Sequence, residues 1–331
     1  MTMDKSAPRF QAGSMSLPED AGEITAMFSC DDFLEIYTEN ETYRVKSPEA
    51  VDPEVTNPNA PWVSSKSSGF GSASDIVARV LLQGSDMIGA GGVSIPEDKK
   101  RVILRQLHTC KEALLACETV RQRVTESAHE IIDDISKNGV DIEHGRHVKN
   151  LPQVPNLEED AGAFLINIKR AIVSVCYLAS YFLPLPNKDN NLEHLKKSVE
   201  KLSSDKYEKL LNSLGEFIPG TKHLIELRNY QEHPGEKVTL IENFTITPKN
   251  EVCYPVWYLK GKKPESIVTS MKSAIDFSIS LSETMLVHYL FASMESRFPY
   301  YLEVIPDDDI DPIKPIRHRV SIDIGSIHSG K

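Results

Sequence analysis

The residues best suited to chemistry lie in one stretch, LIELRNYQEHP, from Leu224 to Pro234. Arg228 supplies a planar, always-charged fork that fits a phosphate. His233, five positions on, can exchange protons near neutral pH. Asn229 and Glu232 are polar supports beside them. A guanidinium and an imidazole suffice for metal-free RNA cleavage. One group takes the proton of the 2′-hydroxyl, the cation stabilises the charged phosphorane, and a proton goes to the leaving oxygen. On an ideal helix, positions five apart lie about 140° apart, so two such side chains do not face each other. Pro234 changes this, because the residue before a proline is disfavoured in helical φ/ψ. His233 is therefore expected at a helix end, where it can swing relative to Arg228 and where the helix dipole favours imidazolium. The same residues admit a structural reading: Arg228 pairs with Glu232 at i,i+4, and His233 caps the helix.

Other constellations are weaker. Arg101 to His108 and Arg123 to His129 repeat the bare Arg…His pattern, but both lie mid-helix with Val after the Arg and no terminating proline. Cys110 and Cys117 are seven apart, lack a CxxC partner and fall on an apolar stripe, so they read as small core residues. His144 and His147 form an HxxH with no further ligand in view, and no metal or cofactor is expected. Asp307, Asp308, Asp309 and Asp311 resemble half a calcium loop without its glycine or closing Glu, and read as a solvated turn. The Gly-rich stretches lack the Lys-Ser/Thr ending of a phosphate loop, and no GxSxG elbow occurs.

The elements that must position the motif are mainly helical. Residues 98–138 contain no Pro and no Gly. Ile103, Leu107, Cys110, Leu114, Cys117, Val124, Ala128, Ile131 and Ile135 recur in steps of mostly three and four, predicting one helix about 60 Å long. A second, apolar nearly all round, is expected from about Leu157 to Leu183, and a third from Asn191 to Leu214. Pro219-Gly220 is read as a break before a shorter helix, Thr221 to Glu232. Residues 236–259 read as a β-hairpin rich in aromatics, and Pro264 to Ser296 as the last long helix. Upstream, Phe33–Lys46 reads as another hairpin, 47–74 as loop, and DIVARVLLQ (Asp75–Gln83) as a short apolar strand or helix, the strand preferred. The expected division is a flexible tail 1–25, a small β-containing region 26–96, a helical domain 97–297 and a C-terminal tail 298–331. The fold class is thus mainly α (α+β): a long-helix bundle with an inserted hairpin and a small β-containing N-terminal region.

Composition excludes little but sharpens the partner question. The 331 residues hold 37 Lys+Arg against 48 Asp+Glu, a net charge of −11. Residues 1–60 carry 12 acidic and 4 basic side chains, whereas 61–300 carry 30 and 29. The body is near neutral and leaves room for local basic patches such as Lys260, Lys262 and Lys263, which also read as an ordinary solvated turn. The apolar run Ala171–Leu183 is shorter than the roughly 18 residues a span needs, and the first residues lack a basic-then-apolar leader. With five scattered cysteines, a reducing cytoplasmic setting without a membrane is expected.

RNYQEH resembles the Arg-polar-x-x-x-His motif of the HEPN superfamily. The resemblance implies a bundle of four or five helices over about residues 98–297. It also implies a metal-independent RNase of bacterial toxin–antitoxin, abortive-infection or CRISPR defence, dimerising so that two motifs share a cleft. Arg228 would contact phosphate, Asn229 would support it, and His233 would be the acid–base group. The partners implied are RNA, a second copy and a protein partner or antitoxin. The inserted hairpin and the N-terminal region depart from a minimal HEPN domain. The alternative is a non-enzymatic helical scaffold that self-associates or binds a protein.

Overall fold

The computed structural model describes residues 8–11, 16–30, 33–90, 95–140, 142–143, 147–186, 188–233, 235–249, 251–294 and 300–322. His144 and Pro234 lie outside them, as does the side chain of His147. The chain divides into two compact units, one of residues 1–105 with 294–331 and one of residues 106–293.

The first unit is built on a four-stranded antiparallel sheet, β1 (Ala26–Cys30), β2 (Phe33–Tyr37), β3 (Thr42–Lys46) and β4 (Val63–Ser68), in that order. Alternation puts Ile36, Tyr43 and Val45 on one face, where they are buried with Ala21. Glu35 points the other way, fully buried, and is satisfied by the Tyr37 hydroxyl and by Arg44 opposite it at 2.8 Å. Within the segment expected as loop, Ser47 caps the short helix α1 (Pro48–Val51) and β4 forms the sheet edge. Gly71 packs against the Thr38–Glu39 turn so closely that a Cβ would lie 2.3 Å from the Thr38 carbonyl oxygen.

Asp75–Gln83 is helical rather than a strand: Ile76–Leu82 winds as a π-helix and continues into α2 (Gln83–Gly89). A continuous apolar run fits either a buried strand or a buried helix. Here it is enclosed on nearly every side, with Ile76, Val77, Ala78, Val80, Leu81 and Leu82 all buried. The C-terminal segment, expected as a tail, forms a hairpin of Tyr300–Val304 with His318–Ile322. It joins this unit through the Gln83 side-chain oxygen, which accepts from the Arg317 and His318 amides at 2.6 and 2.8 Å, and through Ser72 Oγ donating to the Ile313 carbonyl at 2.7 Å.

The second unit is a helical bundle. Its helices are α3 (Glu97–Asn138, whose first turns belong to the first unit), α4 (Leu157–Phe182), α5 (Leu192–Glu200), α6 (Glu208–Glu232) and α7 (Ile267–Ser293). The stripe of α3 is buried from Ile103 to Ala128, and Cys110 and Cys117 donate to the Ala171 and Phe164 carbonyls of α4. Burial raises both thiols, Cys110 to about 12, as expected of core residues. Beyond Ala128 the stripe opens, leaving Ile131 and Ile135 half-buried. Between α3 and α4 lie two short strands, β5 (Ile142–Glu143) and β6 (His147–Val148).

α4 packs against α6 and α7. Among the described helices it alone has the length and apolar composition of a membrane span, and more than half of that window is buried within the unit. The single helix expected over 191–214 is two, α5 and the start of α6. Conversely, Pro219-Gly220 does not break the chain but lies inside α6. The cost of an interior proline, about 3 kcal/mol, is offset by buried leucines on both sides of it: Leu210 and Leu214 before, Leu224 and Leu227 after.

The expected aromatic hairpin forms as β7 (Thr239–Glu242) with β10 (Val256–Leu259), extended by β8 (Thr245–Ile246) with β9 (Val252–Cys253), and β11 (Glu265–Ser266) adds to β10. Trp257 is buried, its ring 5.8 Å from that of Phe164.

Candidate functional site

The Arg228–His233 stretch is the last turn and end of α6. Leu224 and Leu227 turn into the core, so the residues after them are carried to the rim. Two bonds fix this tip. Thr239 Oγ donates to the Leu227 carbonyl at 2.8 Å, tying α6 to β7. Gln231 donates to the Glu158 carbonyl at 3.2 Å, tying it to the first turn of α4.

The helix ends at His233, whose backbone leaves helical geometry (φ −127°, ψ 68°) while its amide still bonds the Asn229 carbonyl at 2.9 Å. Arg228 and His233 share one partner. Glu232 Oε2 is ion-paired with the Arg228 guanidinium and lies 3.9 Å from His233 Nε2. A second guanidinium nitrogen donates to Asn229 Oδ1 at 3.2 Å. The Arg228 side chain is only 19% exposed, whereas that of His233 is 78% exposed. The buried Arg228 Nε has no hydrogen-bond partner. Next to the tip, Asn229 and Tyr230 line a cleft of mixed charge with Lys222, Glu226 and Glu193, and Lys237 sits 5.3 Å over the Tyr230 ring.

Chemically, the arrangement offers a solvated proton-exchanging group, a cation beside it and a carboxylate that occupies the cation. All four residues singled out from the sequence come together here. The structural pairing of Arg228 with Glu232 is present as well. Of the two decoys, one has an exposed Arg101 and a half-buried His108; in the other, Arg123 makes a two-point ion pair with Asp160 of α4, and His129 is exposed. Asp307–Asp309 is an exposed turn, and Lys260, Lys262 and Lys263 are exposed.

Two groupings had no sequence signal, because their members are far apart in the chain. Ser213 and His288 Nε2 are 2.8 Å apart between α6 and α7. His223 and Ser270 both approach Glu265 Oε2, at 3.9 and 3.1 Å. No protein-family model, no curated protein and no solved structure matches this chain.

Proposed function

We propose that the helical unit is a HEPN-like, metal-independent RNA endonuclease of a bacterial defence or stress system, acting as a homodimer. One observation carries this reading: at a helix tip a guanidinium is ion-paired to a carboxylate oxygen that also lies 3.9 Å from a solvent-facing imidazole. In the proposed reaction the ribose 2′-oxygen attacks phosphorus and the 5′-oxygen leaves. His233 moves the proton, Arg228 neutralises the phosphorane, and Asn229 holds Arg228 in place. Arg228 must then release Glu232 to take the phosphate. An i,i+4 pair contributes only about 0.2–0.5 kcal/mol in a helix, so a dianionic transition state displaces it readily.

The test is cleavage of RNA by the purified chain in EDTA. Activity that survives EDTA and disappears in the R228A/H233A double variant is expected. Equal cleavage by that variant defeats the proposal, and a strictly monomeric mass on size exclusion defeats its composite-cleft form.

A second reading, a non-enzymatic scaffold binding a protein partner or a second copy, is favoured by a specific observation. The charge of Arg228 is already answered within its own helix, while Tyr254 of the hairpin is 44% exposed and offers a contact surface. On this reading the double variant assembles as wild type does and neither cleaves RNA.

A further inference from the structure

One turn before the motif, α6, α7 and the hairpin line a shallow, solvent-open pocket of about 260 Å³. Its lining is mostly apolar and includes the buried Trp257 and the ring of Phe277. Phe277 is set close by two features. Gly220 leaves the α6 backbone bare, since a Cβ there would fall 2.7 Å from the ring, and Phe217 meets the same ring edge-on at 5.4 Å. At the rim stand His223 and Glu265, each about half exposed, with Ser270 Oγ donating to Glu265 Oε2 at 3.1 Å. Drug-sized ligands occupy clefts of about 300–1,000 Å³, so this one suits a single flat ring system.

Two further features narrow its chemistry. The rim carboxylate is acceptor-only, and Ser270 fills just one acceptor site on one of its oxygens, so both oxygens keep room for a donor-rich edge. Guanine alone among the RNA bases presents two adjacent N–H donors, N1–H and N2–H, to a carboxylate. The chain between Trp257 and Glu265 also carries Lys260, Lys262 and Lys263, all exposed, which complement a phosphate on the ribose of such a base.

We infer that this pocket is a guanine-nucleotide subsite, with the base between Phe277 and His223, its N–H edge on Glu265 and its phosphate toward the lysine turn. The assignment rests on the RNA reading for its role, but not for its existence. His223 and Arg228 are about 7–8 Å apart along the α6 axis and about 140° apart around it, so a strand reaching both would curve around the helix over about two nucleotides.

The test uses the full chain with Trp62→Phe, which leaves Trp257 as its only tryptophan. Its fluorescence is followed during titration with GMP, AMP, CMP and UMP. A saturable change is expected, tighter for GMP by about tenfold, the discrimination given by a two-point hydrogen bond to a base. E265Q should erase the preference, and S273F, at the lining position Ser273, should abolish binding of all four. Circular dichroism identifies a variant that has not folded, and the other then carries the comparison. No saturable response, an equal response to all four, or a GMP preference kept in folded E265Q overturns the subsite. The R228A/H233A background should bind GMP unchanged. Wild type that binds GMP but leaves RNA intact therefore sinks the cleavage reading and keeps this one.

Discussion

The middle of α3 and the end of α6 each hold an arginine near a histidine, and the two arginines do different work. Arg123 reaches across to Asp160, a nearly buried carboxylate on a different helix, and so ties α3 to α4. Arg228 reaches no other helix. Its carboxylate partner is Glu232, four residues along, its amide partner is the adjacent Asn229, and its Nε is left without one. Yet it is the more buried of the two side chains, at 19% against 60% exposed. Among the described residues, no polar bond of the Arg228 guanidinium leaves its own helix. That is the physical reason to assign it a task, and it is absent for Arg123.

The comparison can be broken by substitution, and the largest expected effect is on rate. R228A should lower RNA cleavage by about a hundredfold or more, the usual cost of one transition-state donor, while R123A leaves the rate unchanged. Comparable losses in both would end the distinction. On stability the order should reverse. R123A strands the buried Asp160 and should cost about 1–3 kcal/mol in denaturant unfolding. E232Q, which removes only an intrahelical pair, should stay within about 0.5 kcal/mol.

A smaller effect tests whether the bundle around these arginines titrates for a separate reason. Burial, and then the charge of Lys209, hold His288 below its ordinary value of 6.5. As pH falls, the unfolded chain therefore binds this proton first. Stability should be intact above about 6.5, decline below it, and level off once the folded imidazole protonates. His288→Gln should flatten that slope in unfolding midpoints measured between about pH 8 and 5. An unchanged slope would place the dependence elsewhere.

Much of the helical architecture was legible because α3 writes its burial in mostly three- and four-residue steps, and Ile103 through Ala128 are buried accordingly. Legibility failed where a local rule met tertiary packing. Pro219 reads as a break, but the flanking leucines hold α6 together across it. Ile76–Leu82 has no periodicity to read, since nearly every side is enclosed. At the site, spacing identified Arg228 and His233 and the alternative pair Arg228–Glu232. It could not foresee that one carboxylate oxygen would lie within 4 Å of both side chains, because that depends on how the helix ends at His233. The His223–Glu265–Ser270 rim was invisible, as its members meet only after the hairpin folds back.

The hairpin at 300–322 bonds to Ser72 and Gln83, residues made more than two hundred positions earlier. On a ribosome, then, Ser72 and Gln83 wait for partners made only after the whole of the bundle. The bundle, whose sequence runs uninterrupted from 106 to 293, can settle while the other unit still waits for the two strands of its C-terminal hairpin. Any burst of synthesis that stops short of those strands would release a complete bundle carrying an incomplete companion, with the tip of α6 already formed.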